Sequence, residues 1–282
     1  MFTLNCKGKL LVIKDPIVMG ILNINNDSFY SGSRLTSDLQ LLSAAEKMIV
    51  SGASILDVGG QSSRPGSERI SSDLELFRVL PAIELIIKNF PDIIISIDTY
   101  QARVAREAIN AGASIINDIS GGEMDEELIN TVAELQVPYI LMHMKGTPQT
   151  MQQNPKYENL IVEIMDYFTQ KISILRSKGV KDIIVDPGFG FGKTIVHNFQ
   201  LLKNLSYFKM LECPILLGVS RKASIYKTLQ IDAEDALNGT TVLNTIGLLN
   251  GANILRVHDV REAKEAIQLF SVYQNNNATQ IG

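Results

Sequence analysis

Eight short apolar runs, each rich in Ile, Val or Leu and apolar on consecutive rather than alternating positions, recur along the chain with amphipathic stretches between them. They are Val18–Leu22, Ser54–Val58, Ile93–Ile97, Ser114–Asn117, Pro138–Met142, Asp182–Val185, Ile215–Gly218 and Ile254–Val257. Unbroken apolar runs of this length are what strands buried on both faces require. The intervening segments carry helical spacing: Leu74, Phe77, Leu80, Ile83 and Ile87 line one face of Asp73–Asn89. Helices are also expected at Asp38–Ser51, Gln101–Ala111, Asp125–Leu135, Leu160–Lys178, Asn198–Leu211, Asp235–Asn250 and Arg261–Tyr273. Gly52, Gly112 and Gly251, in the phrases SGAS, AGAS and NGAN, stand where a helix must stop and the chain must turn into the next strand. Strict alternation of strand and helix predicts an α/β fold, with a (β/α)8 TIM barrel first and a doubly wound open sheet second, because periodicity does not report closure. Before the repeat begins, Met1–Ile13 alternates around Lys7-Gly8-Lys9, the pattern of an N-terminal β-hairpin positioned to cover the bottom of a barrel. No break in composition separates the repeats, so residues 1–274 read as one domain and 275–282 as a disordered polar tail.

Chemistry collects where the strands end. Asp57, Asp98, Asp118 and Asp186 each follow an apolar run, and the basic segments Gly218–Lys222 and Arg256–Asp259 follow the seventh and eighth. In a parallel barrel these ends share one mouth, where such folds keep their active sites. For Asp98, followed by Thr99, capping of the next helix is an equal rival to a functional role. Asp186 precedes Pro187-Gly188, where no helix can start at once, which favours function. Asn117 and Asp118 are adjacent, so period two sends one inward and one outward. Asp57 reads mainly as support for the loop that follows it. Lys222, Arg256 and His258 occupy the phosphate corner of a barrel, where Arg and Lys suit phosphate oxygens. Acids facing a basic cluster fit a ligand with one donor-rich or cationic end and one anionic end. Long loops after the first, second, fifth and sixth strands belong to the same mouth.

Several classes are set aside. The net charge of −4 on 282 residues argues against a nucleic-acid binder. Cys6 and Cys213 make neither a disulfide framework nor a metal motif, and read as reduced thiols of a cytoplasmic protein. His143 and His197 lack partners at metal-ligand spacing. Neither a signal peptide nor a membrane span is evident. Gly192-Lys193-Thr194 imitates the end of a phosphate-binding P-loop, but Pro187 occupies the first glycine position and removes an N–H; a pocket wall with Phe189 or Phe191 as a stacking face fits better. Ser220 is followed by Arg221 rather than x-Gly, so it reads as a cap and no covalent nucleophile is expected.

The motifs MGILNINNDSF (Met19–Phe29), DVGGQSSRPG (Asp57–Gly66), IDT (Ile97–Thr99), INDIS (Ile116–Ser120), LMHMKGTPQTMQ (Leu141–Gln152), DPGFGFGK (Asp186–Lys193), GVSRK (Gly218–Lys222) and RVHDV (Arg256–Val260), in this order, resemble the dihydropteroate synthase family. The resemblance implies a TIM-barrel transferase, a cytoplasmic homodimer, that joins para-aminobenzoate to 6-hydroxymethyl-7,8-dihydropterin diphosphate with Mg²⁺ and releases pyrophosphate in folate synthesis. On this chain it implies that Asp98, Asn117 and Asp186 grip the pterin and Lys222 reaches its carbonyl. Met142, Phe191 and Gly218 line the same pocket. Ser63, Arg256 and His258 would hold the diphosphate and Asn23 would ligate Mg²⁺. Phe29, Arg64, Pro65 and Phe191 would shape the para-aminobenzoate pocket. The implied catalysis, with Asp98, Lys222, Arg256 and His258, is electrostatic: diphosphate leaves first, then the aromatic amine attacks. The chain departs from the family pattern at Asn26, Ser31, Gln61 (for Glu), Ser63 (for Thr) and Ala223 (for Ser), which leaves the first loop's closure altered and one hydrogen bond missing near the para-aminobenzoate carboxylate. A corrinoid-dependent methyltransferase of the same fold, or a catalytically silent pterin-binding relative, are the competing readings; the first should lack the second-loop and diphosphate motifs present here.

Overall fold

The computed structural model describes residues 1–24, 34–62 and 66–275. Phe29, Ser63, Arg64, Pro65, Asn26, Ser31 and residues 276–282 therefore lie outside the described residues. Strands β1 (Phe2–Cys6) and β2 (Lys9–Ile13) form the antiparallel hairpin. Eight parallel strands follow: β3 (Ile17–Asn23), β4 (Ala53–Gly59), β5 (Ile94–Asp98), β6 (Ile115–Asp118), β7 (Tyr139–Met142), β8 (Ile183–Asp186), β9 (Leu216–Leu217) and β10 (Ile254–Val257). Their order is β8-β7-β6-β5-β4-β3-β10-β9, and a parallel bridge between Val185 and Ile215 joins the two ends into a barrel. The open sheet is thereby excluded.

Helices α1 (Arg34–Val50), α2 (Ser72–Asn89), α3 (Ala102–Ala111), α4 (Leu128–Leu135), α5 (Leu160–Ser177), α6 (Ile195–Lys203), α7 (Ala223–Leu229), α8 (Leu237–Leu249) and α9 (Val260–Asn275) fill the connections. Their ends follow local chemistry. Ser71 caps α2 by accepting from the Leu74 amide, and Asn159 caps α5 by accepting from Val162. Thr194 and His197 exchange bonds in a capping box that opens α6, so His197 is a structural cap. Gly112 takes φ +123° at the end of α3, a backbone open to glycine. Four boundaries differ from expectation. Helix α1 starts at Arg34, which puts Ser37-Asp38 inside it rather than at its cap; α4 starts at Leu128 rather than Asp125; and Asn275 belongs to α9 rather than to a tail. The expected helix Asn198–Leu211 divides into α6 and a 3₁₀ turn, Leu205–Leu211. Helix α7 was not expected at all.

The barrel interior is built in layers. Met19, Ile55, Ile94, Ile115, Ile140, Ile184, Leu216 and Ile254, one from each parallel strand, form a single buried apolar cluster. Leu4, Cys6 and Ile13 of the hairpin belong to the same cluster and close the barrel beneath it. A second core lies outside the barrel, between the other faces of the strands and the ring of helices.

Candidate active site

One step of the strand period, two residues, leads from that apolar layer to the functional one. The positions are Ile21, Asp57, Ser96, Asn117, Met142, Asp186, Gly218 and Arg256. The chain thus changes from eight apolar residues to a ring containing two carboxylates, an amide, a hydroxyl and a guanidinium within one layer. A further step reaches the rim, with Asn23, Asp98 and His258. Lys222 reaches in from the start of α7.

The ring is tied together by charge. Arg256 Nε donates to Asp57 Oδ2 and its Nη2 to Asp98 Oδ2, both at 2.6 Å. Asn117 Nδ2 donates to the same Asp57 oxygen at 3.0 Å. That bond fixes the amide's orientation and leaves Asn117 Oδ1 as an acceptor for a ligand. Asp57 is fully buried, and its contacts run to Arg256 and Asn117. The expectation that it supports the second loop is therefore corrected: it anchors the guanidinium from which the site is organised. Two side chains 199 residues apart must meet for this, so a local motif carries no signal of it. Burial lifts the Asp98 carboxyl above the usual carboxylate range against the pull of Arg256, and the neighbouring Asp57 adds to the rise. Arg256 itself is held firmly protonated by its two carboxylates.

Asp98 is not a helix cap: α3 begins four residues later, behind Gln101. Asp118 points away from the mouth, as period two requires. It accepts from the Ser120 amide and hydroxyl, the Gly122 amide and the Tyr139 hydroxyl at 2.6–2.7 Å. It organises the loop after β6, while Asn117 turns the other way and bonds Asp57.

On the opposite side, Asp186 Oδ1 accepts from the Gly188 amide at 2.7 Å. Gly188 has φ +73°, and a Cβ there would stand 1.9 Å from the His143 carbonyl, so no other residue fits. Lys222 Nζ donates to the Phe189 carbonyl at 2.5 Å and sits 4.7 Å from the centre of the Phe191 ring. Burial brings the Lys222 pKa down to about 8, even with Asp186 opposite it. Phe191 thus lines the mouth beside Lys222, whereas Phe189 is buried in the outer core. Gly218 keeps the space between these charges open: a Cβ on it would lie 3.7 Å from Lys222 Nζ and 3.8 Å from Asp186 Oδ2. Met142, with Tyr100, Ile119, Met124, Met144 and Phe191, supplies an apolar wall.

Lys193, from the rejected P-loop, is buried and bonds His143 Nδ1 at 2.9 Å and the carbonyls of Phe191 and His143. It pins the glycine-rich loop to the end of β7. Sequence reading missed this role; the signal was a lysine at the close of a glycine-rich loop. Gln61 Nε2 donates to the Tyr100 hydroxyl at 2.6 Å while its Oε1 accepts from the Ile70 amide at 3.3 Å. A carboxylate at this position could keep both contacts by accepting from the tyrosine hydroxyl as well, so the exchange of Glu for Gln leaves the bonding geometry intact.

Asn23 ends β3 with its side chain exposed. A Cβ on the facing Gly59 would lie 3.7 Å from Asn23 Oδ1 and 3.7 Å from Asp98 Oδ2, so glycine leaves room between them. Among the described residues no cluster of three acidic or His/Cys ligands could hold a metal. One hard amide oxygen beside open space fits an ion such as Mg²⁺ that keeps waters and shares phosphate oxygens.

A family model described as "Pterin binding enzyme" matches residues 19–258. The dihydropteroate synthase of Escherichia coli K12 is 40% identical over 265 residues, 93% of each chain. The chain belongs to the dihydropteroate synthase family. Among solved structures, the Yersinia pestis dihydropteroate synthase in a sulfonamide complex superposes with a TM-score of 0.91 at 37% identity, covering 97% of this chain and 99% of that one. The Xanthomonas albilineans dihydropteroate synthase with 4-aminobenzoic acid gives 0.90 at 34% identity, covering 97% and 98%. Dihydropteroate synthase membership covers the whole barrel, and the layer that carries the polar ring lies inside the matched span.

Proposed function

We propose that this site performs the dihydropteroate synthase reaction, condensing 6-hydroxymethyl-7,8-dihydropterin diphosphate with para-aminobenzoate to 7,8-dihydropteroate and pyrophosphate. The observation that carries the assignment of roles is the ring with its rim: Asn117 Oδ1 and Asp186 in the ring and Asp98 on the rim are acceptors, with Lys222 as the donor beside them. A pterin edge offers N–H donors next to one carbonyl, which is the complementary array. Met142 and Phe191 provide apolar contact for the flat ring. Arg256 uses two of its N–H groups on Asp57 and Asp98 and keeps others for the diphosphate, next to His258. The roles of Ser63, Phe29, Arg64 and Pro65 follow the family pattern.

In the reaction the bond between the methylene carbon and the diphosphate oxygen breaks, and the electron pair leaves with pyrophosphate. Asp98 and Asp186 stabilise the positive charge that develops on the pterin. Arg256 and His258 hold the departing anion. The aromatic amine, held above the same carbon, forms the new C–N bond and loses a proton. Positioning and electrostatics suffice, and no side chain forms a covalent bond. Asn23 would help to hold Mg²⁺, whose charge would assist the departure of the leaving group.

We place the enzyme in the cytoplasm, in keeping with its two buried free thiols and with the absence, among the described residues, of a helix long and apolar enough to cross a membrane. We infer a homodimer from the exposed apolar Val242, Ile246 and Leu249, which share one face of α8.

The deciding experiment is pyrophosphate release from the pterin diphosphate, para-aminobenzoate and Mg²⁺, beside calorimetric titration of the pterin diphosphate. Binding with no release would make the protein a silent pterin binder. Asp186→Ala should abolish pterin binding while the protein remains folded; retained affinity would remove Asp186 from the cradle.

A further inference from the structure

Three consecutive residues after β9 reach in three directions. Lys222 enters the pterin cradle. Arg221, at φ +54°, turns outward and grips Asp259 with Nε and Nη2, both at 2.9 Å. Ser220 is buried, and its Oγ stands 3.0 Å from His258 Nδ1. The same Oγ accepts the backbone N–H of His258 at 3.2 Å. The exits of β9 and β10 are therefore laced in register, Ser220 to His258 and Arg221 to Asp259.

The hydroxyl geometry decides the proton on the imidazole. A serine hydroxyl has one proton and two lone pairs. The His258 amide occupies a lone pair. Were Nδ1 also protonated, Oγ would accept twice and its own O–H would be left buried with no acceptor in reach among the described residues, which is disfavoured. Donation from Oγ–H to Nδ1 satisfies the hydroxyl, the His258 amide and Nδ1 together. Neutral His258 then carries its proton on Nε2, the nitrogen turned from Ser220, on a side chain exposed at the rim.

We propose that Ser220 is a positioning residue: its hydroxyl holds His258 in the Nε2–H tautomer and fixes the ring so that an N–H, rather than a lone pair, meets the diphosphate oxygens. A lone pair there would repel the anion. The diphosphate as partner rests on the function proposed above; the tautomer does not. Arg221–Asp259 keeps the two strand exits together when the serine hydroxyl is removed, so Ser220→Ala is expected to fold.

The chain has three histidines, and His258→Asn identifies the resonances of His258 in long-range ¹H–¹⁵N spectra of the labelled protein. Wild-type His258 should show the Nε2–H tautomer, and added inorganic pyrophosphate should shift its Nε2 signal. Ser220→Ala should give a tautomer mixture and Ser220→Thr should restore the pure form. A wild-type Nδ1–H tautomer, an unchanged spectrum in Ser220→Ala, or no response to pyrophosphate overturns the proposal. In turnover, Ser220→Ala should lower kcat/KM for the pterin diphosphate about tenfold, the size of one hydrogen bond to a charged group, with the KM for para-aminobenzoate unchanged. In a His258→Ala background the same substitution should add nothing; an equal further loss there would mean that Ser220 acts on the fold and not through His258. Failure of the wild type to release pyrophosphate, with the tautomer and its pyrophosphate response intact, would instead overturn the proposed reaction.

Discussion

Lys222 is a cation that the site needs charged, placed where burial works against its charge. With its pKa brought down to about 8, it is an ammonium below that pH and a neutral amine above it, and the proposed donation to the pterin carbonyl needs the ammonium. Activity supported by this donor is complete on the acid side and is lost as pH rises through about 8. The kcat/KM for the pterin diphosphate, which reports the free enzyme, should therefore show an alkaline limb centred near 8. Lys222→Met should be slow at every pH and lack the limb; a wild-type profile flat to pH 10 would contradict the assignment. Gly218 makes a second residue-scale case. The contacts of 3.7 and 3.8 Å that an added Cβ would meet are ordinary, so Gly218→Ala should fold with an unchanged melting temperature. The methyl group would stand between Asp186 and Lys222, and pterin affinity should fall about tenfold or more by titration. At this scale the placement of Asp98 and Asp186 at strand ends was legible, and period two split Asn117 from Asp118 without saying which of them turns inward. Asp57 was not, because its meaning depends on an arginine six strands later in the chain.

The hairpin shows what an element contributes. Leu4, Cys6 and Ile13 sit against the eight-residue layer at the bottom of the barrel, so β1 and β2 complete the core rather than decorate it. Leu4→Ala should destabilise the protein by about 2–5 kcal/mol in urea denaturation. The pyrophosphate-release rate under folding conditions should change little, since a full layer separates Leu4 from the ring. Stability within about 0.5 kcal/mol of wild type would show that the hairpin does not seal the barrel. Alternation around Lys7-Gly8 announced these strands. Helix α7 escaped notice for the opposite reason: its seven residues make two turns, too few for a helical period to stand out, and it is held by the barrel rim instead. The divided helix after β8 was missed similarly, because apolar spacing continues through Asn204 although the backbone tightens there.

The whole molecule is a barrel whose outer helices leave some apolar surface uncovered. Val242, Ile246 and Leu249 recur at helical spacing on exposed positions of α8, which a homodimer would bury. Light scattering should return twice the 31.1 kDa chain mass for the wild type and close to one chain for Val242→Glu combined with Ile246→Lys. A dimer that survives both charges would move the interface elsewhere.

The alternation of strand and helix and the polar residues that close the strands are properties of neighbouring residues, governed by backbone periodicity and burial, and a single chain read in order contains them. Closure of the barrel, the Arg256 bridge between Asp57 and Asp98, the Lys193 strut and the Ser220–His258 bond depend on groups 38 to 199 residues apart. No local propensity encodes which distant partner a buried charge will find. That was decided only when the sheet curled until its last strand lay beside its first, because a buried guanidinium has to be matched by whatever carboxylates the closed barrel brings within reach.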